Sequence, residues 1–270
     1  METLQILLLS FVQGITEFLP ISSSGHLILA PLLFGYELQS LAFDVAVHLG
    51  TLAAVMIYFR QEIVRMALAV IDSMGTRRFD DPNARLGWMI LIATIPVVLL
   101  GLPLKSLLEW LREDEALVAL VIAGTTIGFG LLLWWADWSG KRSRDEYALG
   151  WRDALIIGLL QAIAIVPGIS RSGITITAGL MLGLTRRATS RFSFLLAIPT
   201  ILMAGALETL DLLKAEGPTD WTALLLGAFV SFVVAYLTIH FFLKFIERIS
   251  MLPFVLYRFL LGGVILFLVL

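Results

Sequence analysis

The sequence predicts an all-α polytopic membrane protein, with six transmembrane helices plus two re-entrant helical hairpins arranged as an inverted-topology repeat. Three observations carry that prediction: long apolar runs, two apolar segments broken by Pro, Gly and Ser, and the likeness of those two breaks to each other. Hydrophobic residues make up 59 % of the 270 and charged ones 15 %, with a mean hydropathy of +0.93. A soluble domain is nearer half apolar and a quarter charged. The apolar residues also fall in runs of about 17–25, the length that crosses a hydrocarbon layer as a helix.

Six segments read as full crossings: Phe43–Phe59, Leu86–Pro103, Ala116–Ala136, Phe192–Leu210, Trp221–Phe242 and Leu252–Leu270. Leu4–Phe34 and Asp153–Leu184 read differently. Each is an apolar helix, a break, and a second short apolar helix, and each half is too short to cross alone. The breaks are Leu19-Pro-Ile-Ser-Ser-Ser-Gly25 and Pro167-Gly-Ile-Ser-Arg-Ser-Gly173. Each pair therefore suits a hairpin that enters and leaves by one face. The first 16 residues hold no Lys or Arg, so the basic flank of a cleavable signal is missing and this apolar segment is expected to stay.

The two hairpins read as copies. With a shift of 148, Gln13–Ile28 and Gln161–Ile176 share seven of sixteen residues, in register through the break. The chain is then a single membrane domain, with repeat one over about 1–136 and repeat two over about 150–270. Each copy is one hairpin plus three crossings, and three is odd, so the second copy must lie upside down. Charge supports this, because Lys and Arg concentrate in cytoplasmic loops. Placing Arg60–Arg85 inside also puts Asp137–Arg152, Thr185–Arg191 and Lys244–Met251 inside. Those segments hold fourteen Lys and Arg, against Lys105, Arg112 and Lys214 outside. Both termini then fall outside, on the non-cytoplasmic face.

Inverted repeats whose broken helices meet near the midplane build polar sites there, and irregular backbone at that depth needs protein or a water-filled cavity around it. The two breaks are thus expected to line one cavity. Composition excludes other classes. A net charge of −2 without a basic patch leaves no case for nucleic acid, and the absence of Cys excludes disulfides and thiolate metal sites.

Ionisable residues inside the apolar regions are few: Glu17, His26, Asp44, His48, Arg171, Glu208, His240 and Arg258. Such residues are costly in a bilayer and mark functional sites by default. Gln13 and Glu17, four apart, share a helix face aimed at the first break. Ser22, Ser23, Ser24, Gly25 and His26 follow, so an acid, hydroxyls and an imidazole lie within ten residues. That is equipment for proton transfer and nucleophilic attack. In the second copy Arg171 holds the place of Ser23, flanked by Ser170, Ser172 and Gly173, with Thr175 beyond. A guanidinium fork and a Gly-rich helix start both suit phosphate oxygens.

Each feature has a structural reading as well. Ser and Gly favour close packing in membrane helices, Glu17 could simply bridge Arg171, and His26 could be a cap. His48 and His240 lie outside the breaks and read as structural. Arg258 and Glu208 either pair or snorkel, and Trp110, Trp134, Trp135 and Trp221 read as interface anchors.

The segment Gln13-Gly-Ile-Thr-Glu-Phe-Leu-Pro-Ile-Ser-Ser-Ser-Gly-His26 resembles the undecaprenyl-diphosphate phosphatases of the bacitracin-resistance type. Their second motif, Pro-Gly-x-Ser-Arg-Ser-Gly-x-Thr, is intact at Pro167–Thr175. Phe192-Ser-Phe-Leu-Leu-Ala-Ile-Pro199 and Pro253-Phe-Val-Leu-Tyr-Arg-Phe259 match as well, so the resemblance spans the chain. It implies hydrolysis of undecaprenyl diphosphate to the monophosphate and inorganic phosphate, which recycles the lipid carrier of cell-wall synthesis and gives bacitracin resistance. It also implies a divalent cation, Mg²⁺ or Ca²⁺, and a polyprenyl diphosphate lipid partner in the bilayer; a homodimer is left open.

By resemblance Glu17, Ser23, His26 and Arg171 are the catalytic positions, and Glu17 is the candidate metal ligand. Ser22, Ser24, Gly25, Ser170, Ser172, Gly173 and Thr175 would bind the diphosphate, with Gln13 in support. Gln13 stands where the family pattern has an acid or Gln, which leaves Glu17 as the only carboxylate of the first motif. The mechanism this favours is in-line attack by Ser23 with Glu17 or His26 as base, with His26 as nucleophile or direct attack by water as alternatives. The rival class is a transporter or flippase for a polyprenyl phosphate using the same anion site. Transport, however, needs neither a carboxylate nor an imidazole beside the serines.

Overall fold

The computed structural model of the chain describes residues 1–36, 39–77, 79–111, 115–212 and 220–269, and the side chains of all these except 28, 30–34, 102–111, 115 and 210–212. Among the described residues the regular elements, apart from one isolated bridge pairing Arg144 with Leu184, are helices. In order these are α1 Thr3–Thr16, α2 Ser23–Phe34, α3 Leu41–Tyr58, α4 Arg60–Thr76, α5 Pro82–Leu111, α6 Glu115–Ser139, α7 Trp151–Ile163, α8 Arg171–Met181, α9 Arg186–Leu212, α10 Trp221–Phe245 and α11 Leu252–Val269. A 3-10 turn at Glu146–Ala148 precedes α7.

Six of the helices are long and apolar enough to cross a membrane: α3, α5, α6, α9, α10 and α11. Each expected crossing coincides with one of them to within a few residues. The protein is a multi-pass membrane protein. The paired short helices are α1 with α2 and α7 with α8. At about 1.5 Å per residue, the 14 residues of α1 reach only ~21 Å, short of a ~30 Å hydrocarbon core.

The packing follows the two halves. α1 lies against α10 and α7 against α5, while α6 pairs with α11 and α3 with α9. Small residues four apart allow the first two contacts: Ser10 and Gly14 on α1, Gly158 and Ala162 on α7. A Cβ on Gly158 would run into the Ala93 backbone of α5, and one on Gly14 into Val234 of α10. Close approach through small residues replaces hydrophobic drive between helices in lipid.

At one end of the molecule, ion pairs tie together the four segments that the charge count puts on one side. Arg191 donates to Glu62 and to Glu146, both at 2.6 Å. Arg186 grips Asp137 with two bonds of 2.6 and 2.9 Å, and the Met251 N–H donates to the same carboxylate at 3.0 Å. Of the basic residues expected at the other end, Arg112 and Lys214 lie outside the described residues, as do the side chains of Lys105 and Trp110.

The inside segment Arg60–Arg85 is helical over its first seventeen residues, the helix α4. Its apolar residues are interleaved with Arg, Glu and Asp, so hydropathy averages low while a helical stripe persists. Among the described residues α4 has no counterpart in the second half.

Candidate functional site

The two breaks share a backbone. Ser22 and Ser170, which correspond under the repeat, both sit in the left-handed region, with φ of 74° and 72°. Non-glycine residues seldom adopt it. Each serine offsets part of the cost by accepting the N–H of the glycine three residues on: Ser170 from Gly173 at 3.0 Å and Ser22 from Gly25 at 3.4 Å. Each hydroxyl also lies near the second serine onward, Ser24 at 3.4 Å and Ser172 at 3.2 Å. A tight turn thus aims the start of α2 and of α8 into the protein interior.

Two stitches hold the breaks together. The Ser172 hydroxyl donates to the Leu19 carbonyl at 2.7 Å. Arg258 of α11, wholly buried, spends every donor of its guanidinium on a carbonyl. It reaches Pro20 (3.2 Å) in the first break, Gly168 (3.0 Å) and Ile169 (3.1 Å) in the second, and Thr125 (3.4 Å) and Thr126 (2.9 Å) of α6. Arg258 neither snorkels nor pairs with Glu208; it replaces the partners that broken helices lack.

Between the breaks lies a cavity of ≈ 250 Å³ lined by Glu17, Ser22, Ser23, Ser24, His48, Ser170 and Arg171, with Thr200 and Glu208 of α9 along one wall. Glu17 ends the last turn of α1 and is buried. Its Oε2 accepts the Ser23 hydroxyl at 2.8 Å and the Gln13 amide at 3.0 Å, and its Oε1 accepts Arg171 Nη2 at 2.9 Å. The four-residue spacing of Gln13 and Glu17 thus brings them together as expected. Glu17 bridges Arg171 and also holds the Ser23 hydroxyl, contacts that fit the structural and the chemical reading alike. Arg171 keeps Nη1 buried without a partner, and so does Gln13 its Oε1. Buried polar atoms of this kind call for an explanation, and an anion beside Arg171 supplies one for Nη1.

Other expected residues lie beside the cavity. His26 is not in its lining. Its Nδ1–H donates to the Ser22 carbonyl at 2.6 Å, and Nε2 accepts the Tyr257 hydroxyl, with the two rings stacked. Both ring nitrogens are engaged away from Ser23. Gly25 and Gly173 give their N–H groups to the capping serines. Thr175 ties α8 to α9 through Ser193 at 2.7 Å.

The residue that sequence reasoning missed is His48. Its Nδ1–H donates to the Asp44 carbonyl at 2.7 Å, which leaves Nε2 facing Glu17 Oε2 at 3.7 Å across the cavity. Twenty-two residues separate it from Gly25 at the end of the first break, and no motif marks it. His240, by contrast, is exposed and stands against Tyr58.

Among the described residues no three His, Asp or Glu side chains group closely enough to hold a metal. Three hydrogen bonds already occupy most of the lone pairs of Glu17. This donor set does not fit a resident metal caged by the chain.

Comparison with known proteins agrees in one direction. The sequence profile of the family described as bacitracin resistance protein BacA matches residues 6–264. The chain is 55 % identical over 269 residues to a protein of Nitrosococcus oceani named undecaprenyl-diphosphatase, covering 99 % of each. A protein of Stutzerimonas stutzeri named undecaprenyl-diphosphatase 2 is 54 % identical, with 98 % of each chain covered. One of Alteromonas mediterranea, also named undecaprenyl-diphosphatase, is 55 % identical over 100 % of this chain and 99 % of its own.

Proposed function

The chain belongs to the BacA family of bacitracin resistance proteins, and on that premise we propose that it hydrolyses undecaprenyl diphosphate to undecaprenyl phosphate and inorganic phosphate. The observation that carries the chemistry is Glu17 between Ser23 and Arg171, with Arg171 lining the same cavity and its Nη1 buried without a partner. A carboxylate 2.8 Å from a hydroxyl is within reach to take its proton, and a buried unpaired guanidinium N–H awaits an anion.

In the proposed reaction the diphosphate enters the cavity and Arg171 Nη1, Ser22, Ser24 and Ser170 bind its oxygens. The Ser23 oxygen attacks the terminal phosphorus in line, and its proton passes to Glu17 Oε2. The anhydride P–O bond breaks, and undecaprenyl phosphate leaves with the electron pair. Water then attacks the phosphoserine: the Ser–O–P bond breaks, a proton of the water restores the Ser23 hydroxyl, inorganic phosphate leaves, and Glu17 gives its proton to solvent. Gln13 and Arg171 fix the Glu17 carboxylate, and His26 with Tyr257 fixes the strained Ser22 turn that aims Ser23. His48 Nε2 faces the carboxylate from the remaining side. A divalent cation, Mg²⁺ or Ca²⁺, would neutralise charge on the diphosphate that brings it.

The polyprenyl chain would stay in lipid, since the polar cavity suits only the headgroup. The reading places the protein in the bacterial cytoplasmic membrane, with both termini and the cavity mouth outside. Its activity would recycle the carrier lipid of the cell wall and so confer bacitracin resistance.

The test is phosphate release from undecaprenyl diphosphate by purified protein in detergent, where no compartments exist. Release that depends on Ser23 and Arg171 supports the reading, and none under any divalent cation refutes it. For orientation, single cysteines at Gly75 and Ser143 should resist an impermeant thiol reagent applied to whole cells. Those at Asp114 and Gly217, which lie outside the described residues, should label. The reverse pattern would turn the protein over in the membrane.

A further inference from the structure

The helix α4 has three faces. One is packed: Met66 and Ser73 are buried, Val70 meets Gly87 of α5, and Ser73 Oγ accepts the Trp88 indole N–H at 3.0 Å. A second is polar and exposed, with Gln61, Arg65, Asp72 and Thr76. The third carries Val64, Leu68, Ile71 and Met74, each 57–65 % exposed. Spacings of four, three and three put these side chains on one stripe.

Such a stripe of large apolar residues is costly in water. The helix is also no seventh crossing: with 17 residues, among them Arg60, Glu62, Arg65 and Asp72, it is not one of the helices long and apolar enough to span. From these three faces we infer that α4 lies along the membrane surface, its apolar stripe sunk in the boundary between headgroups and acyl chains and its polar face in water.

The surroundings favour lipid as the occupant. Only Phe59 separates α4 from the end of α3, whose last turns show exposed Met56 and Ile57. The stripe therefore continues the apolar belt of a membrane-crossing helix at the level where that helix ends. Arg60 begins it and bends back to donate to the Ile57 carbonyl at 3.1 Å, as a long basic side chain does at an interface. Trp88 and Phe79, ring centroids 6.5 Å apart, stand at the same end of α5, where aromatic residues anchor to headgroups. Amphipathic helices with one such face bury it about 5–10 Å into this zone. Glu62 on α4 holds Arg191 at the start of α9, so the embedded helix also braces the helix whose far half walls the cavity.

The chain contains no Cys, so single-cysteine probes are clean. Bimane would be attached at Leu68→Cys or Ile71→Cys, at Arg65→Cys or Asp72→Cys, and at Leu225→Cys on the exposed face of α10 as a lipid-facing control. The labelled protein would be placed in phosphatidylcholine vesicles with brominated acyl chains. The inference expects loss of fluorescence at 68 and 71 comparable with the control, and little loss at 65 and 72. Equal, weak quenching at all four positions would overturn it in favour of a water-exposed helix. Weak quenching at 68 together with a Leu68→Cys disulfide dimer would overturn it in favour of a second copy covering the stripe.

Discussion

The break after α1 and the break before α8 have nearly the same backbone and quite different side chains. Ser22 and Ser170 share a left-handed φ, the same glycine cap and the same neighbouring serine. Yet Glu17 corresponds to Ile165, Ser23 to Arg171 and His26 to Ile174. The second break also has Gly168 at φ 87°, where the first has Pro20, because α6 presses so close that a Cβ would strike Thr125 and Ile122. The comparison separates scaffold from chemistry. The shared serines and glycines build the turns, and in the proposed reaction the unshared residues divide the labour, with base and hydroxyl in one half and the anion clamp in the other. Neither half holds a complete site.

That division can be tested by removing matched parts, and the largest effect is expected at Ser23. Ser23→Ala should lower hydrolysis on the order of 10⁴-fold or more, because it deletes the proposed bond-forming atom. Acid quench during turnover of labelled substrate should leave an acid-stable phosphoserine in the parent protein. Substantial activity in Ser23→Ala without any adduct would assign the attack to water, and an acid-labile adduct lost in His26→Ala would assign it to the imidazole.

Next comes the clamp. Arg171→Ala should cost roughly 10²–10³-fold in kcat/KM, the scale of losing one oriented stabiliser of developing charge. Arg171→Lys should recover only part, since an ammonium cannot hold Glu17 and phosphate together as the fork does. Full activity in the Lys variant would reduce the role of Arg171 to bare charge.

His26→Asn should be milder, about 30-fold in kcat, because the ring braces the Ser22 turn through one hydrogen bond to the Ser22 carbonyl and one from Tyr257, together worth ~2 kcal/mol. A loss as large as that of Ser23→Ala would return His26 to the reacting atoms.

The smallest effects sharpen the comparison most. Gln13 and Gln161 correspond under the repeat, but Gln13 donates to Glu17 whereas Gln161 accepts only from Thr200 at 3.3 Å. Gln13→Leu should therefore lower activity about tenfold, the ~1.5 kcal/mol of a hydrogen bond to a charged group. Gln161→Leu should leave it nearly unchanged. Equal effects would mean that the second copy takes part in the chemistry beyond Arg171.

The six crossings and both breaks were legible because apolar run length and Pro, Gly and Ser punctuation act locally. So was the Gln13–Glu17 face, a matter of helical period. His48 was not, since it reaches the cavity only through the packing of α3, and nothing local distinguishes it from His240. The full set of bonds to Arg258 was hidden for a different reason: its partners are backbone carbonyls, which every residue has and no side-chain pattern marks. The α4 helix was masked by its own charges, which lower the average that a hydropathy reading relies on.

Arg258 also has a consequence for the order in which the protein is made. The Pro20 carbonyl emerges from the ribosome near the beginning of synthesis, and its partner follows 238 residues later. Until α11 enters the membrane, the first break holds the unmet carbonyl of Pro20 in an apolar medium, and the second holds that of Ile169. The cavity can therefore close only when the last helix arrives. A nascent chain stalled before α11, with all of Glu17, Ser23 and Arg171 already translated, should have the chemical groups and no organised place for them.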